Sequence, residues 1–504
     1  MKSIATSSRV RWICLFTLAL WTIWQLVDVE IIRRPWEDEV LYDLPAVNWA
    51  LDGHLSLPQM GGFMDADRGW RWHMPFYPAL GALWFKVKGC ELETIRQFGL
   101  LPASLMAYLL AWACVRLARQ ETWPWMFFWL AIILGDKSIV MNSVAGRMEF
   151  WSLLGIIAAL ALALKPMRPI TTVFAGLLLG LAMGFHPFAV YFLPGLLWLT
   201  LAESKSRMRS AMLFLAGAGA VVLPIAGWFL SDWPLTRTQF FAQVHGTIQG
   251  GNVLHNVATQ YSGLVYNFRF QPFLLLLIAA GIVVHAVRLG RNPAGAPAKT
   301  ISIGLLLLVA GAIAFLLQDA TVHLNYYTLL VVTALPLLAA ALPILRSASA
   351  GASRTAIVIL ALLLANNLAF IAAKSRTIWI NRSVSDPAPM NAFLDDELGR
   401  TNRCVLADDL WLYGAQRRLD FRVATFPVLG QSTDTYRAYR QSLLDWRPEV
   451  IVLDRGENGL YPDRAFTPEE LAAAGYVEQK HFDRVFRDRF LYDGYRLVVY
   501  RRAP

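Results

Sequence analysis

The chain has 504 residues, of which 56% are hydrophobic and only 16% are charged, against about 25% charged in a soluble domain. Its formal charge of +10 does not indicate nucleic acid, because the Lys and Arg residues lie scattered in short links between apolar stretches and form no stripe. Cys14, Cys90, Cys114 and Cys404 have no CxxC and no metal-ligand spacing, so neither a disulfide framework nor a cysteine metal site is implied. The 19 tryptophans and 28 phenylalanines suit a chain that meets lipid headgroups repeatedly.

The basic stretch from Lys2 to Arg11 precedes a long apolar run. No small-residue cleavage site follows before Asp28, so an uncleaved first transmembrane helix is expected. A helix crosses the hydrocarbon core in about 20 apolar residues. About eleven such spans are expected, near 10–27, 95–115, 123–134, 148–164, 170–183, 187–201, 212–230, 272–287, 301–317, 324–345 and 355–373. With the N-terminus in the cytoplasm, the inner links carry Arg116, Arg119, Lys165, Arg168, Lys205, Arg288 and Arg346, whereas the short outer links carry little beyond Lys137, Arg237 and Arg269. That asymmetry places the N-terminus inside and the C-terminus outside.

Residues 28–94 form a long first outer loop with helical periodicity. Val40, Leu44, Val47 and Leu51 recur on one face. Pro35 suits a helix start and Gly53 its end, and Glu37 and Asp38 fall in the first turn, where the helix dipole favours acids. Asp38, Tyr42 and Trp49 take the opposite face, the pattern of a helix lying along a membrane surface. A second such helix is expected after Pro78, with Leu80, Leu83, Trp84 and Val87 on one side and Gly89 at its end. Between them runs a polar turn with Asp65, Asp67 and Arg68, then Trp70 to Tyr77. His54, Asp65, Asp67 and His73 have donor atoms for a divalent cation, but their spacing matches no standard site.

Arg147 and Glu149 stand at the outer lip of the fourth span. Arg147 has the fork of donors that grips a phosphate, and it can equally pair with Glu149 or snorkel. His186, His245, His255 and His323 all fall near the outer face, and the outer loop 231–271 is rich in glycine and amides, as acceptor-gating loops are. From about Lys374 charge rises and apolar runs shorten. Buried strands are expected at 404–407 and 450–453, helices at 436–446 and 468–474, and an alternating strand at 495–500, giving a small α/β domain over 374–504 beyond a membrane domain over 1–373.

The order of these features carries a resemblance. One span, then Asp38-Glu39, Tyr42, Ala50-Leu51-Asp52-Gly53, Pro75-Phe76-Tyr77 leading into an amphipathic helix, Gly89, Arg96, Arg147-Met148-Glu149 and Gly180 to Pro187 resemble the polytopic glycosyltransferases of the GT-C superfamily, above all protein O-mannosyltransferases and lipid A aminoarabinose transferases. The resemblance implies a polytopic α-helical GT-C-like membrane protein of a bacterial inner membrane. It implies an inverting transfer of a sugar from a polyprenyl-phosphate donor to a lipid, glycan or protein acceptor on the outer face. Asp38 then serves as general base, and Glu39, Tyr42, His73, Tyr77, Arg147, Glu149, His186 and Tyr326 line the substrate site. For Asp38 the other reading is a cap of a surface helix, for Glu39 plain solvation, for His73 and Tyr77 packing or loop capping, for His186 a satisfied polar residue, and for Tyr326 an ordinary interface aromatic. Two departures stand out: His73 where many relatives carry Lys before the proline-rich turn, and His186-Pro187 where some carry Lys-Gly. No cofactor is implied beyond the open question of a divalent cation. A secondary transporter, or a non-catalytic assembly or sensing protein, is the competing expectation; few charges at mid-membrane depth and no repeat of spans speak against transport.

Overall fold

The computed structural model describes residues 8–31, 37–120, 123–165, 168–202, 204–241, 272–291, 296–318, 324–382, 386–424, 433–455, 466–484 and 495–503. The helices of the first 381 residues are α1 (Ser8–Ile31), α2 (Glu37–Tyr42), α3 (Leu44–Asp52), α4 (Phe76–Lys88), α5 (Leu92–Leu117), α6 (Trp123–Gly135), α7 (Lys137–Asn142), α8 (Glu149–Ala163), α9 (Pro169–Phe185), α10 (Leu193–Ala202), α11 (Arg207–Leu230), α12 (Pro272–Arg291), α13 (Ala296–Gln318), α14 (Leu324–Ala348) and α15 (Ala350–Asn381). Six of them are long and apolar enough to cross a membrane, and five shorter apolar helical segments, Trp12–Val27, Pro124–Gly135, Glu149–Ala163, Pro169–Phe185 and Pro187–Ala202, occupy the places of the other expected spans. The α15 helix runs eight residues past the expected end at 373, to Asn381.

The membrane helices turn apolar side chains outward. Leu15, Phe16 and Leu20 of α1, Met212 and Leu223 of α11, and Leu276 and Val283 of α12 are all exposed, as lipid-facing side chains must be. With lipid on the outside, association between helices depends on close packing rather than on burial from water. Close approach is greatest between α9 and α11. A side-chain carbon at Gly176 would collide with the Phe214 carbonyl, one at Gly180 with the Ala218 carbonyl, and one at Gly217 with the Val173 carbonyl. The spacing of Gly176 and Gly180 by four residues places both on one stripe of α9, so the two backbones meet without intervening side chains. Ser152 of α8 adds a hydrogen bond of 2.9 Å to the Ala182 carbonyl of α9.

The loop after α1 is helical as expected, but its first helix is interrupted. Asp43 still bonds in α-helical fashion, its N–H to the Glu39 carbonyl at 2.8 Å and its carbonyl to the Val47 N–H at 2.8 Å. Pro45 has no N–H to offer the carbonyl of Leu41, so the helix divides into α2 and α3 at this point. Gly53 ends α3 in the left-handed region at φ 77°, a conformation that favours glycine. The expected face of α4 is exposed at Leu83 and Val87, while Tyr77, Gly81, Ala82 and Phe85 are buried. Leu83 and Val87 therefore form the apolar side that a membrane surface would cover.

The C-terminal region holds a five-stranded sheet in the order β2-β1-β3-β5-β4, built from β1 (Cys404–Leu406), β2 (Phe421–Val423), β3 (Val450–Asp454), β4 (Tyr476–Arg484) and β5 (Tyr495–Arg502). The strand β1 runs parallel to β2 and β3, and β5 runs antiparallel to β3 and β4. Strands β1, β3 and β5 and the helices Thr433–Asp445 and Pro468–Ala473 lie where the periodicity places them. In β5, Leu497 to Tyr500 are all buried, so this strand is covered on both faces rather than alternating. The four cysteines are free.

One hydrophobic core unites the outer loop with this sheet. Val40, Leu44, Val47, Leu57, Met60 and Phe63 pack in the same cluster as Leu410, Trp411, Tyr439 and Leu443. Phe63 meets Tyr439 edge-on at 5.5 Å between ring centres, and Arg418 reaches Asp52 at 3.2 Å. The loop is thus pinned between the bundle and the C-terminal sheet.

If backbone contact between α9 and α11 holds the bundle, Gly176→Ala should lower the melting temperature of the purified protein, with an overpacking cost of about 1–3 kcal/mol. Gly219→Ala on α11, where an added carbon meets nothing within 4 Å, should stay within about 0.5 kcal/mol of wild type. Equal melting of the two variants would refute this account.

Candidate active site

At one end of the bundle the start of α5, the turn before α8, the end of α9 and the start of α14 face the outer loop. The loop brings a pair of acids to this place. Glu39 and Asp43 are four residues apart and so share one helical face, and both are fully buried at 0% exposure. Two acids at that spacing destabilise an isolated helix, and here they are held by groups from other elements. Arg96, also 0% exposed, lies 3.6 Å from Glu39, an ion pair at a distance longer than a hydrogen bond. The Tyr77 hydroxyl of α4 donates to Asp43 Oδ1 at 2.7 Å. The other oxygen, Oδ2, packs so closely on Gly146 that any side-chain carbon there would strike it.

Burial raises the Asp43 carboxyl well above its ordinary value; the Glu39 charge pushes the same way, against the Tyr77 hydrogen bond and the charges of Arg96 and Arg147. The Tyr77 phenol is likewise raised, by burial first and then by Asp43. The surroundings therefore favour the neutral form of Asp43 over the carboxylate.

Beside this pair, Arg147 donates from Nε to Glu149 Oε1 at 2.9 Å and from Nη2 at 2.6 Å. Of the readings open for Arg147, the structure contains the internal pair. Its guanidinium also lies 5.2 Å from the centre of the Tyr42 ring, within reach of a cation–π contact. The other face of the cluster is His73, whose ring centre is 4.5 Å from Tyr42 and 5.7 Å from Trp70. His73 is only 5% exposed, and neither ring nitrogen makes a hydrogen bond of good geometry among the described residues. Burial lowers its basicity well below the usual imidazole range, and the nearby His186 and Arg147 charges lower it further; the Leu41 carbonyl, the one that Pro45 leaves without an intrahelical donor, opposes them in part. His73 is a neutral imidazole. His186, at the end of α9, accepts from the Phe188 N–H at 3.2 Å through Nδ1 and stands 6.4 Å from the Tyr326 ring.

The fold thus gathers Glu39, Tyr42, His73, Tyr77, Arg147, Glu149, His186 and Tyr326 at one place. Solvation of Glu39 is corrected: the side chain is buried against Arg96 because its helix is covered by both the bundle and the C-terminal sheet. Asp38 belongs to α2 one residue before Glu39; its side chain, like that of Glu37, lies outside the described residues. So do His245, His255, His323 and most of the outer loop, residues 242–271. The suggested cation loop does not assemble. His54, Asp65 and Asp67 are exposed while His73 is buried, and among the described residues no three His, Cys, Asp or Glu side chains converge to hold a metal. Gln239 ties this loop down instead, donating to the carbonyls of Met64 at 3.0 Å and Gly69 at 2.9 Å.

Asp43 was not among the candidates read from sequence. Its signal was an acid four residues after another acid in an otherwise apolar run, just ahead of a proline. Arg96 was noted only for its position.

Because Asp43 holds its proton more tightly in the folded protein than in the unfolded chain, folding takes up a proton between the ordinary value of 3.8 and the raised folded value. This contribution is complete below 3.8 and is lost as pH rises through the folded value. Asp43→Asn, which fixes the neutral form, should lose less stability than wild type as pH is raised, as read by melting temperature from pH 5 to 9. Tyr77→Phe, which deprives buried Asp43 of its donor, should cost about 1–3 kcal/mol. Parallel pH profiles for wild type and Asp43→Asn would show that Asp43 is ionised throughout.

No protein-family model matches the chain, and no curated protein matches it in sequence. Solved structures do match in shape. ArnT from Cupriavidus metallidurans, solved with undecaprenyl phosphate, superposes with a TM-score of 0.60 at 13% identity over 98% of this chain and 98% of that one. Its apo form gives 0.57 at 13% identity over 99% and 100%. The archaeal oligosaccharyltransferase AglB from Archaeoglobus fulgidus, solved with an inhibitory peptide and a dolichol-phosphate, gives 0.52 at 13% identity over 97% of this chain and 74% of that one. Nearly end to end, the chain shares its fold with these solved structures.

Proposed function

We propose that the protein is an inverting glycosyltransferase that moves a sugar from a polyprenyl phosphate to an acceptor at the outer face of a bacterial inner membrane. One observation carries the reading: a buried cluster of acids, arginines and histidines assembled by the loop after the first span, at one end of a lipid-facing bundle. The likeness to proteins solved with undecaprenyl phosphate and dolichol-phosphate supports the choice of donor.

In this reading residues 1–373 form the catalytic membrane domain, with 28–94 as its first outer loop, and 374–504 form an outer α/β domain. The acceptor hydroxyl or amine attacks the anomeric carbon from the face opposite the phosphate. The bond to the phosphate oxygen breaks as the new bond forms, and the phosphate leaves with the electron pair. A phosphate needs no strong acid to leave, but the acceptor needs a base for its proton. Asp38 takes that role, one residue from the buried Glu39–Arg96 pair. Negative charge grows on the departing oxygen, and Arg147, fixed in orientation by Glu149, supplies positive potential there. His73, with its ring nitrogens free of good internal hydrogen bonds, is the phosphate contact in place of a lysine. Tyr42 and Tyr77 shape the pocket, and His186 and Tyr326 line the path of the lipid. Glu39 and Asp43 hold the loop that bears the base.

The reading is tested in membranes with labelled polyprenyl-phosphate sugars. Transfer to an endogenous acceptor is expected, and Asp38→Asn should reduce it by about 10²–10⁴-fold with protein level and melting temperature unchanged. Full activity in that variant removes Asp38 from the mechanism. Solute movement across sealed vesicles without any lipid donor would instead establish a transporter.

A further inference from the structure

At the end of the bundle opposite the candidate site, a cavity of about 690 Å³ opens between α5, α12, α13 and α14. Arg116 and Arg119 at the far end of α5 and Arg288 near the end of α12 line it, and among the described residues no Asp or Glu does. Arg96 marks the candidate site at the start of α5, and the 20 residues to Arg116 span about 30 Å of helix. The two places therefore belong to opposite leaflets. The cavity walls are apolar, formed by Val284, Ile301, Ala340 and Ile344 among others.

One lining side chain is buried and incompletely satisfied. His285, 0% exposed, sits one turn deeper than Arg288, with Nε2 at 3.0 Å from the Leu337 carbonyl. A carbonyl only accepts, so Nε2 carries the hydrogen and Nδ1 presents a lone pair. That Nδ1 atom has no hydrogen-bond partner among the described residues. A cationic rim thus borders an apolar slot, with a buried imidazole in its wall one turn from Arg288. A free inorganic anion has no use for the slot, and an uncharged lipid has none for the arginines. The combination complements a phospholipid of net negative charge.

We propose that this cavity binds an anionic glycerophospholipid of the leaflet opposite the candidate site. Its phosphate lies among Arg116, Arg119 and Arg288, and an acyl chain lies along the apolar wall. The site stands apart from the sugar-transfer reading and holds whether or not that reading does.

The test uses the full-length protein, delipidated in detergent and titrated in native mass spectrometry with phosphatidylglycerol or with phosphatidylcholine of the same chains. Phosphatidylglycerol should be retained at concentrations at least about tenfold lower than phosphatidylcholine. A combined Arg116→Ala, Arg119→Ala and Arg288→Ala variant should lose that preference while melting as wild type does in phosphatidylcholine. A milder Arg116→Gln and Arg288→Gln variant, which keeps polar side chains at the rim, should weaken phosphatidylglycerol retention alone and serves if the triple variant does not fold. Equal retention of the two lipids, or undiminished preference in both variants, overturns the proposal. So does stabilisation by inorganic phosphate that matches that of the lipid, or retention of a polyprenyl phosphate ahead of phosphatidylglycerol.

Discussion

The arrangement depends on the cost of taking carboxylates out of water. Glu39 and Asp43 lie on one face of one short helix with no exposure, and two like charges in such a place repel each other as well as lose hydration. The protein meets this in two different ways. Glu39 is given a cation, Arg96, carried by a membrane helix. Asp43 is given a hydroxyl, Tyr77, in surroundings that favour its protonated form. Each remedy comes from a different segment, so α2, α4 and α5 cannot separate without exposing one acid or stranding the other. The positions of the bundle, the loop and the neighbouring Arg147–Glu149 pair follow from that requirement.

Much of this was legible in the residues. The apolar spans, the two loop helices with their terminal glycines, and the strands and helices of the C-terminal region follow from periodicity, because burial of one face leaves a regular mark. The gathering of Tyr42, His73, Tyr77 and Arg147 was legible only through the order of motifs, since these side chains come from separate elements and no local spacing records their meeting. Asp43 escaped notice for a physical reason. An acid in an apolar run reads as helix-surface solvation unless its cover is known, and the cover comes from Tyr77 and Gly146, far away in the chain. The division of the first loop helix at Pro45 was readable from the missing N–H, but its use, a carbonyl turned toward His73, was not. The three-residue β2 and the longer β4 carry little apolar pattern, and β4 is mostly exposed.

The neutral state of His73 separates two kinds of recognition. A lysine at such a position would offer a strongly hydrated point charge, whereas an uncharged imidazole offers one donor and one acceptor. The positive potential of the cluster therefore resides in Arg96 and Arg147, each tethered to an acid. Their charges are fixed in direction, and the site gains its polarity from rigid pairs rather than from mobile side chains.

The core shared by Val40, Leu44 and Phe63 with Trp411 and Tyr439 has a bearing on how such proteins diversify. An outer domain that merely sat on the membrane unit could be exchanged for another by recombination at a single junction. Here the segment 37–91 and the C-terminal sheet are halves of one hydrophobic unit, encoded some 300 residues apart. A viable hybrid between two proteins of this shape must inherit both halves from the same parent, so a single crossover in the stretch between them breaks the unit and exchanges there must come in pairs.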